Sequence, residues 1–173
     1  LGASIGVGSG AAIGSAFAGR IDGKESLVAS GGGAGGTEGA VHMALEWLAR
    51  HQEADGSWNA RTYAKRCPEK GCEGACDEDY VTASTALALL PYLGAGHTHQ
   101  RGPWKDVVRR GLTALRNLQR PDGRFEDGRK RAYSDALATL ALTEAYALTK
   151  NESLGEMARR SVAFWVATQN GEG

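Results

Sequence analysis

The chain contains the stretch LARHQEADGSW at positions 48–58, and LRNLQRPDGRF at positions 115–125 repeats its pattern. In each copy a leucine is followed four residues later by glutamine, then by Asp-Gly and, two residues after the glycine, by an aromatic ring. A third copy begins as WVATQNG at 165–171. The shared positions are Gln52, Asp55, Gly56, Trp58, Gln119, Asp122, Gly123, Phe125 and Gln169. Such internal similarity predicts an array of like structural units.

The chemistry of this repeat element indicates how the units join. A glutamine amide can donate hydrogen bonds to the backbone carbonyls that lack a partner at a helix C-terminus, or to the backbone of the next unit. Asp-Gly predicts a tight turn in which glycine adopts positive φ. The aromatic ring then buries a large apolar area between neighbouring helices.

Apolar periodicity predicts five helices and no strand, so the fold class is all-α. The first, third and fifth are amphipathic, whereas the second and fourth are apolar nearly all round. The apolar face of the first is predicted to contain Val41, Leu45 and Leu48. This alternation predicts an outer layer of half-exposed helices and an inner layer of sandwiched ones. The predicted bounds are Thr37 (as N-cap) to about Gln52, Tyr80–Leu93, Pro103 (in the first turn) to Leu118, Ala132–Leu148 and Glu152–Thr168.

The uneven distribution of glycine along the chain predicts the domain organisation. Of the 25 glycines, 12 fall in residues 1–36, a segment with few large side chains. Such sequence cannot offset the entropy cost of ordering. Residues 1–36 are therefore predicted to be a flexible Gly-rich linker, and residues 37–173 the folded domain.

The charge balance excludes some partners. With 20 basic and 20 acidic residues intermixed, the net charge is zero. This argues against a nucleic-acid-binding surface or a broad contact with anionic membrane. The sequence contains no run of about 18 strongly apolar residues, so no membrane-spanning helix is predicted.

The repeat element resembles the QW motif of the squalene-hopene cyclase, oxidosqualene cyclase and protein prenyltransferase repeat superfamily, over about residues 40–173. The resemblance implies an α/α-toroid, in which inner helices surround a central cavity. About five helices would form an incomplete ring, a partial α/α-barrel. LPYLGAGHTH and ALTEAYALTKN, behind a Gly-rich leader, also resemble bacterial repeat proteins of planctomycete type, which often follow a membrane anchor. An exported or membrane-associated bacterial protein is the expectation.

Two acidic residues are candidates for catalysis. In the cyclases that this chain resembles, a DxDD motif protonates the substrate alkene. Here Asp77 and Asp79 supply D-x-D, but Tyr80 stands in place of the last aspartate. Clustered carboxylates raise each other's pKa, as a general acid requires. The alternative is that Asp77 or Asp79 caps the second helix.

The three cysteines form a second candidate site. Cys67, Cys72 and Cys76 lie within ten residues, as C-x4-C-x3-C. With Asp77, Asp79, His97 or His99 as a further ligand, they could hold a tetrahedral zinc ion. A disulfide with one remaining thiol, and three thiols without a metal, are the alternatives.

Two classes of function follow. The first is a repeat-built binding or scaffold module for a hydrophobic, isoprenoid-like ligand or a protein partner. The second is part of an isoprenoid-processing enzyme of the terpenoid cyclase or zinc prenyltransferase type. The incomplete acid motif and the incomplete ring favour the first.

Overall fold

The computed structural model describes residues 19–20, 23, 26, 35–68, 71–125 and 131–169. From residue 35 onward, the described residues form one short 3-10 helix, Tyr63–Arg66, and five α-helices. These are α1 (Gly35–Arg50), α2 (Val81–Gly94), α3 (Lys105–Leu118), α4 (Arg131–Thr149) and α5 (Glu152–Thr168). No β-strand occurs among them, and a single bridge joins Gln119 to Phe125. The predicted all-α class is confirmed.

The helices form two layers. The inner helices α2 and α4 pack extensively against each other, while α3 lies against α2 and α5 against α4. Helix α1 has a smaller contact with α2, in which the Tyr92 hydroxyl donates to the carbonyl of Leu45 at 2.6 Å. The core lies between the layers, where Leu89, Leu115 and Leu142 are fully buried. This is the predicted alternation of inner and outer helices, an arc of an α/α-toroid.

Helix boundaries differ from the predictions mainly at the N-termini. Helix α1 begins at Gly35, so Thr37 lies in its first turn and is not the N-cap. Helix α3 begins two residues after Pro103, with Trp104 as its N-cap. Helix α2 continues through Pro91 to Gly94 without ending early. Most of the predicted linker, residues 1–36, lies outside the described residues, as does the end of the third repeat element after Gln169.

Helix α1 buries less of its apolar face than predicted. Leu45 is its buried residue and Leu48 is partly buried, whereas Val41 and Trp47 are exposed. The reason is the small α1–α2 contact, which covers only the side of α1 around Leu45.

The two complete repeat elements fasten each outer helix to the next one. The Gln52 amide donates to the carbonyls of Gly56 at 2.9 Å and of Val107, in α3, at 3.0 Å. The Gln119 amide donates to the carbonyl of Met157, in α5, at 2.9 Å and to the hydroxyl of Ser161 at 2.8 Å. Each glutamine therefore ties the end of one outer helix to the N-terminal part of its neighbour.

The aromatic residue of each element is held by the inner helix that follows. The Trp58 amide donates to the Thr85 hydroxyl of α2 at 3.0 Å, and the Phe125 amide donates to the Asp135 carboxylate of α4 at 2.9 Å. Both rings are buried. Asp135, at the beginning of an inner helix, thus anchors the preceding turn.

The glycines of the turns allow close backbone contact. Gly56 and Gly123 both have a φ of +91°. A Cβ atom would lie 2.5 Å from the Arg110 carbonyl oxygen at Gly56 and 2.2 Å from the Arg160 carbonyl oxygen at Gly123. Only glycine fits both the backbone conformation and the space.

Candidate functional site

The first repeat contains a long connection, residues 51–80, between α1 and α2. The corresponding connection between α3 and α4, residues 119–130, is less than half as long. The three cysteines lie in the longer connection. None of them is in a disulfide.

Two of these cysteines lie close to a histidine. The ring of His51 and the sulfur atoms of Cys67 and Cys72 place their potential ligand atoms within 4.8 Å of one another. The Cys72 sulfur is 3.3 Å from His51 Nε2. Since thiolate and imidazole are the usual ligands of zinc in proteins, these three side chains could hold a metal ion.

The orientation of His51 is fixed by the end of α1. Its Nδ1 lies 2.7 Å from the carbonyl oxygen of Trp47, and its ring stacks on the Trp47 indole with centroids 4.0 Å apart. A carbonyl can only accept a hydrogen bond, so Nδ1 carries the proton in this contact. In the neutral imidazole, the Nε2 lone pair then faces the sulfur of Cys72. His51 is only 1% exposed.

This group differs from the one predicted from sequence. Cys67 and Cys72 belong to it, whereas Cys76, His97 and His99 do not. Cys76 is held through its backbone, which donates to the Ala60 carbonyl at 3.0 Å. His51 is not among the residues predicted from sequence, although it directly precedes Gln52 of the repeat element.

The two histidines after α2 occupy different surroundings. His97 lies beside Gly102. Burial lowers the pKa of His99, and the positive charge of Arg116 lowers it further. Its Nδ1 is buried without a hydrogen-bond partner among the described residues. A neutral imidazole at His99 is the consequence.

The acidic candidates lie at the protein surface. Asp77 is exposed. Asp79 accepts from the Asn59 amide at 2.8 Å and from Arg61 at 3.3 Å, and its side chain is 51% exposed. The Asn59 hydrogen bond, with help from Arg61, lowers the pKa of Asp79. Tyr80 is the N-cap of α2, so Asp79 does not cap the helix.

A concave pocket adjoins the thiol and imidazole group. It encloses about 320 Å³ between the end of α1, the beginning of the long connection and one side of α2. Its walls are largely aromatic and aliphatic, and its polar contributions come from His51, Asn59 and Ser84. The principal apolar lining residues are Trp47, Trp58, Tyr63, Leu87, Ala88 and Pro91. His51 therefore belongs to both the pocket wall and the potential metal site.

Comparison with protein families gives a match over most of the described fold. The family profile of the squalene-hopene cyclase C-terminal domain matches residues 26–135. The chain belongs to the squalene-hopene cyclase C-terminal domain family. The match in this cyclase-family chain spans both complete repeat elements, α2, α3 and the long connection.

Comparison with individual proteins gives no further relative. No curated protein and no solved structure matches this cyclase-family chain significantly. Among the described residues, no helix is both long and apolar enough to cross a bilayer. The family match agrees with the arc of inner and outer helices described above.

Proposed function

We propose that this cyclase-family domain is a binding module that takes a small apolar, isoprenoid-like ligand in the pocket between α1 and α2. The observation that supports the proposal is the pocket itself: a concave, mostly apolar space with a few polar groups at its wall. Ligand sites in proteins have this character, and about 320 Å³ is at the lower end of their usual size range.

The pocket wall suits a flexible hydrocarbon chain. Trp58 is almost completely buried and forms a rigid surface, whereas Trp47 is 38% exposed at the end of α1. Aromatic faces provide large apolar contact areas for a hydrocarbon chain. Each methylene group that leaves water contributes about 0.8 kcal/mol, so affinity should rise with chain length until the pocket is filled.

Enzymatic protonation is less well supported. An acid that protonates an alkene needs a raised pKa and a dry environment. Asp79 is exposed and its pKa is lowered, chiefly by the Asn59 hydrogen bond. Asp77 is exposed as well. If the domain were instead part of an isoprenoid-processing enzyme, D77N and D79N would abolish turnover while binding of the isoprenoid persisted.

The experiment compares two leucines that occupy similar places on the inner helices. Leu87 of α2 lines the pocket, whereas Leu140 of α4 does not. The two residues are 45% and 52% exposed, so either position can accept a larger side chain without disturbing the core. L87W should fill the pocket, and L140W is the matched control.

Binding is measured by equilibrium dialysis of C10, C15 and C20 isoprenoid alcohols against the full chain. We expect saturable binding to the unsubstituted chain, a loss of about tenfold or more in L87W, and unchanged affinity in L140W. A tenfold loss corresponds to about 1.4 kcal/mol. Absence of saturable binding, or equal losses in both variants, would show that the pocket is not the ligand site and favour a protein partner.

A further inference from the structure

We propose that His51, Cys67 and Cys72 form a zinc site that fastens the long connection, residues 51–80, to the end of α1. The inference does not depend on ligand binding in the pocket, although His51 belongs to both sites. It differs from the site predicted from sequence, because His51 replaces the histidines after α2 and Cys76 is excluded.

The spacing of the three side chains suits tetrahedral coordination. With Zn–S bonds of about 2.3 Å and Zn–N bonds of about 2.0 Å, neighbouring ligand atoms in a tetrahedral site lie about 3.5 to 3.8 Å apart. Cys72 Sγ and His51 Nε2 are 3.3 Å apart, and all three ligand atoms lie within 4.8 Å of one another. Small side-chain rotations are therefore enough to bring the three atoms around one ion.

The imidazole of His51 already has the tautomer that a metal requires. Its Nδ1 proton is directed to the Trp47 carbonyl, and Nε2 faces the sulfur of Cys72. Histidines that bind metals usually donate their second ring N–H to a carbonyl or carboxylate in this manner, which fixes the ring and raises the basicity of the ligand nitrogen. Stacking on Trp47 restrains the ring further.

The ligand types select the class of metal. Two sulfur ligands and one imidazole favour Zn²⁺ over the oxygen-seeking ions Mg²⁺ and Ca²⁺. On binding, two Zn–S bonds replace two S–H bonds, and two protons pass to solvent. The two thiolates then balance the charge of Zn²⁺, and a water molecule can complete the coordination as fourth ligand.

The long connection explains what such a site would do. Its regular structure is limited, among the described residues, to the 3-10 helix Tyr63–Arg66. Cys67 directly follows this helix, and Cys72 lies farther along the connection. A metal ion bound by these cysteines and by His51 would cross-link the long connection to the end of α1. It would fix the Tyr63 wall of the pocket, since Tyr63 precedes Cys67 by only four residues.

The experiment titrates the reduced full chain with Co²⁺ and then displaces Co²⁺ with Zn²⁺, using C67S, C72S and C76S. We expect one equivalent of Co²⁺, with the sulfur-to-cobalt charge-transfer band and the intense visible bands of tetrahedral coordination. Zinc affinity, from competition with a chromophoric chelator, should fall at least about 100-fold in C67S and C72S. C76S should bind as the unsubstituted chain does. Equal loss in all three variants would overturn the assignment in favour of a three-cysteine site.

A second measurement needs no substitution and is therefore unaffected by misfolding. The full chain is treated with iodoacetamide in the presence and absence of Zn²⁺, and each cysteine is quantified by mass spectrometry. Zinc should slow alkylation of Cys67 and Cys72 at least tenfold and leave Cys76 unchanged. No zinc-dependent protection, or the same protection of all three cysteines, would refute the proposed ligand set.

Discussion

The close approach of Gly123 to helix α5 makes G123A a sharp test of how the repeats are joined. Gly123 has a φ of +91°, and an added Cβ would lie 2.2 Å from the carbonyl oxygen of Arg160 and 2.6 Å from its carbonyl carbon. These are backbone atoms of α5, so no side-chain rotation can relieve the clash. The turn must move away from the helix.

The loss of unfolding free energy expected in G123A has two parts. Positive φ disfavours a residue with a Cβ by about 1 to 2 kcal/mol. Displacement of the turn also weakens the Gln119 bonds to Met157 and Ser161, which contribute about 1 kcal/mol each. We therefore expect G123A to lower the free energy of unfolding by about 3 kcal/mol. With a urea dependence of about 2 kcal/mol per molar, the unfolding midpoint falls by about 1.5 M.

The variant G74A separates the backbone penalty from the effect of displacing the turn. Gly74 has a φ of +84°, but the nearest atom to its added Cβ is the Tyr63 hydroxyl at 3.9 Å. Only the backbone conformation is then penalised, and the expected loss is about 1 kcal/mol. Urea unfolding followed by far-ultraviolet circular dichroism measures both variants. Equal midpoints for G123A and G74A would refute the close turn–helix contact as a source of stability.

Two further predictions concern single side chains. Q119A should lower the free energy of unfolding by about 2 kcal/mol, because it removes the two amide N–H bonds to α5 and the exposed bond from Arg160 to the amide oxygen. Q169A, at an exposed position, should change it by less than about 0.5 kcal/mol, and similar urea midpoints for the two variants would contradict this role. The pKa of His99 is lowered in the folded chain, so the unfolded chain binds more protons than the folded chain below the ordinary histidine pKa of 6.5. The stability that depends on neutral His99 is therefore present above that pH and lost as the pH falls below it. The urea unfolding midpoint should therefore decrease less in H99Q than in the unsubstituted chain between about pH 7.5 and 5.5. An equal decrease in both would exclude His99 as the cause of this pH dependence.

The helices could be predicted because each is determined by local pattern. The fifth predicted helix, Glu152–Thr168, agrees with α5 at both ends, and Asn151 caps it through a bond to the Leu154 amide. Agreement is poorer where tertiary contact decides burial. The apolar periodicity of α1 predicts a buried Val41, but the small contact with α2 leaves this residue exposed.

The candidate sites were harder to predict, because they join residues that no short motif connects. Cys67 and Cys72 were singled out by their spacing, but His51 comes from the end of a helix and His97 and His99 are directed elsewhere. Likewise, the pocket combines α1, the long connection and α2. The surroundings of Asp79 depend on Asn59 and Arg61, which lie about twenty residues away.

Local sequence patterns are enough to predict the all-α class, the alternation of inner and outer helices, and the presence of a repeated element. These follow from periodicity and turn chemistry, which act over a few residues. Which histidine faces the cysteines, and which inner-helix residues line a pocket, could be learned only from the folded chain. Both depend on the packing of separate segments, because the direction of a side chain in space is set by its whole surroundings and not by its neighbours in sequence.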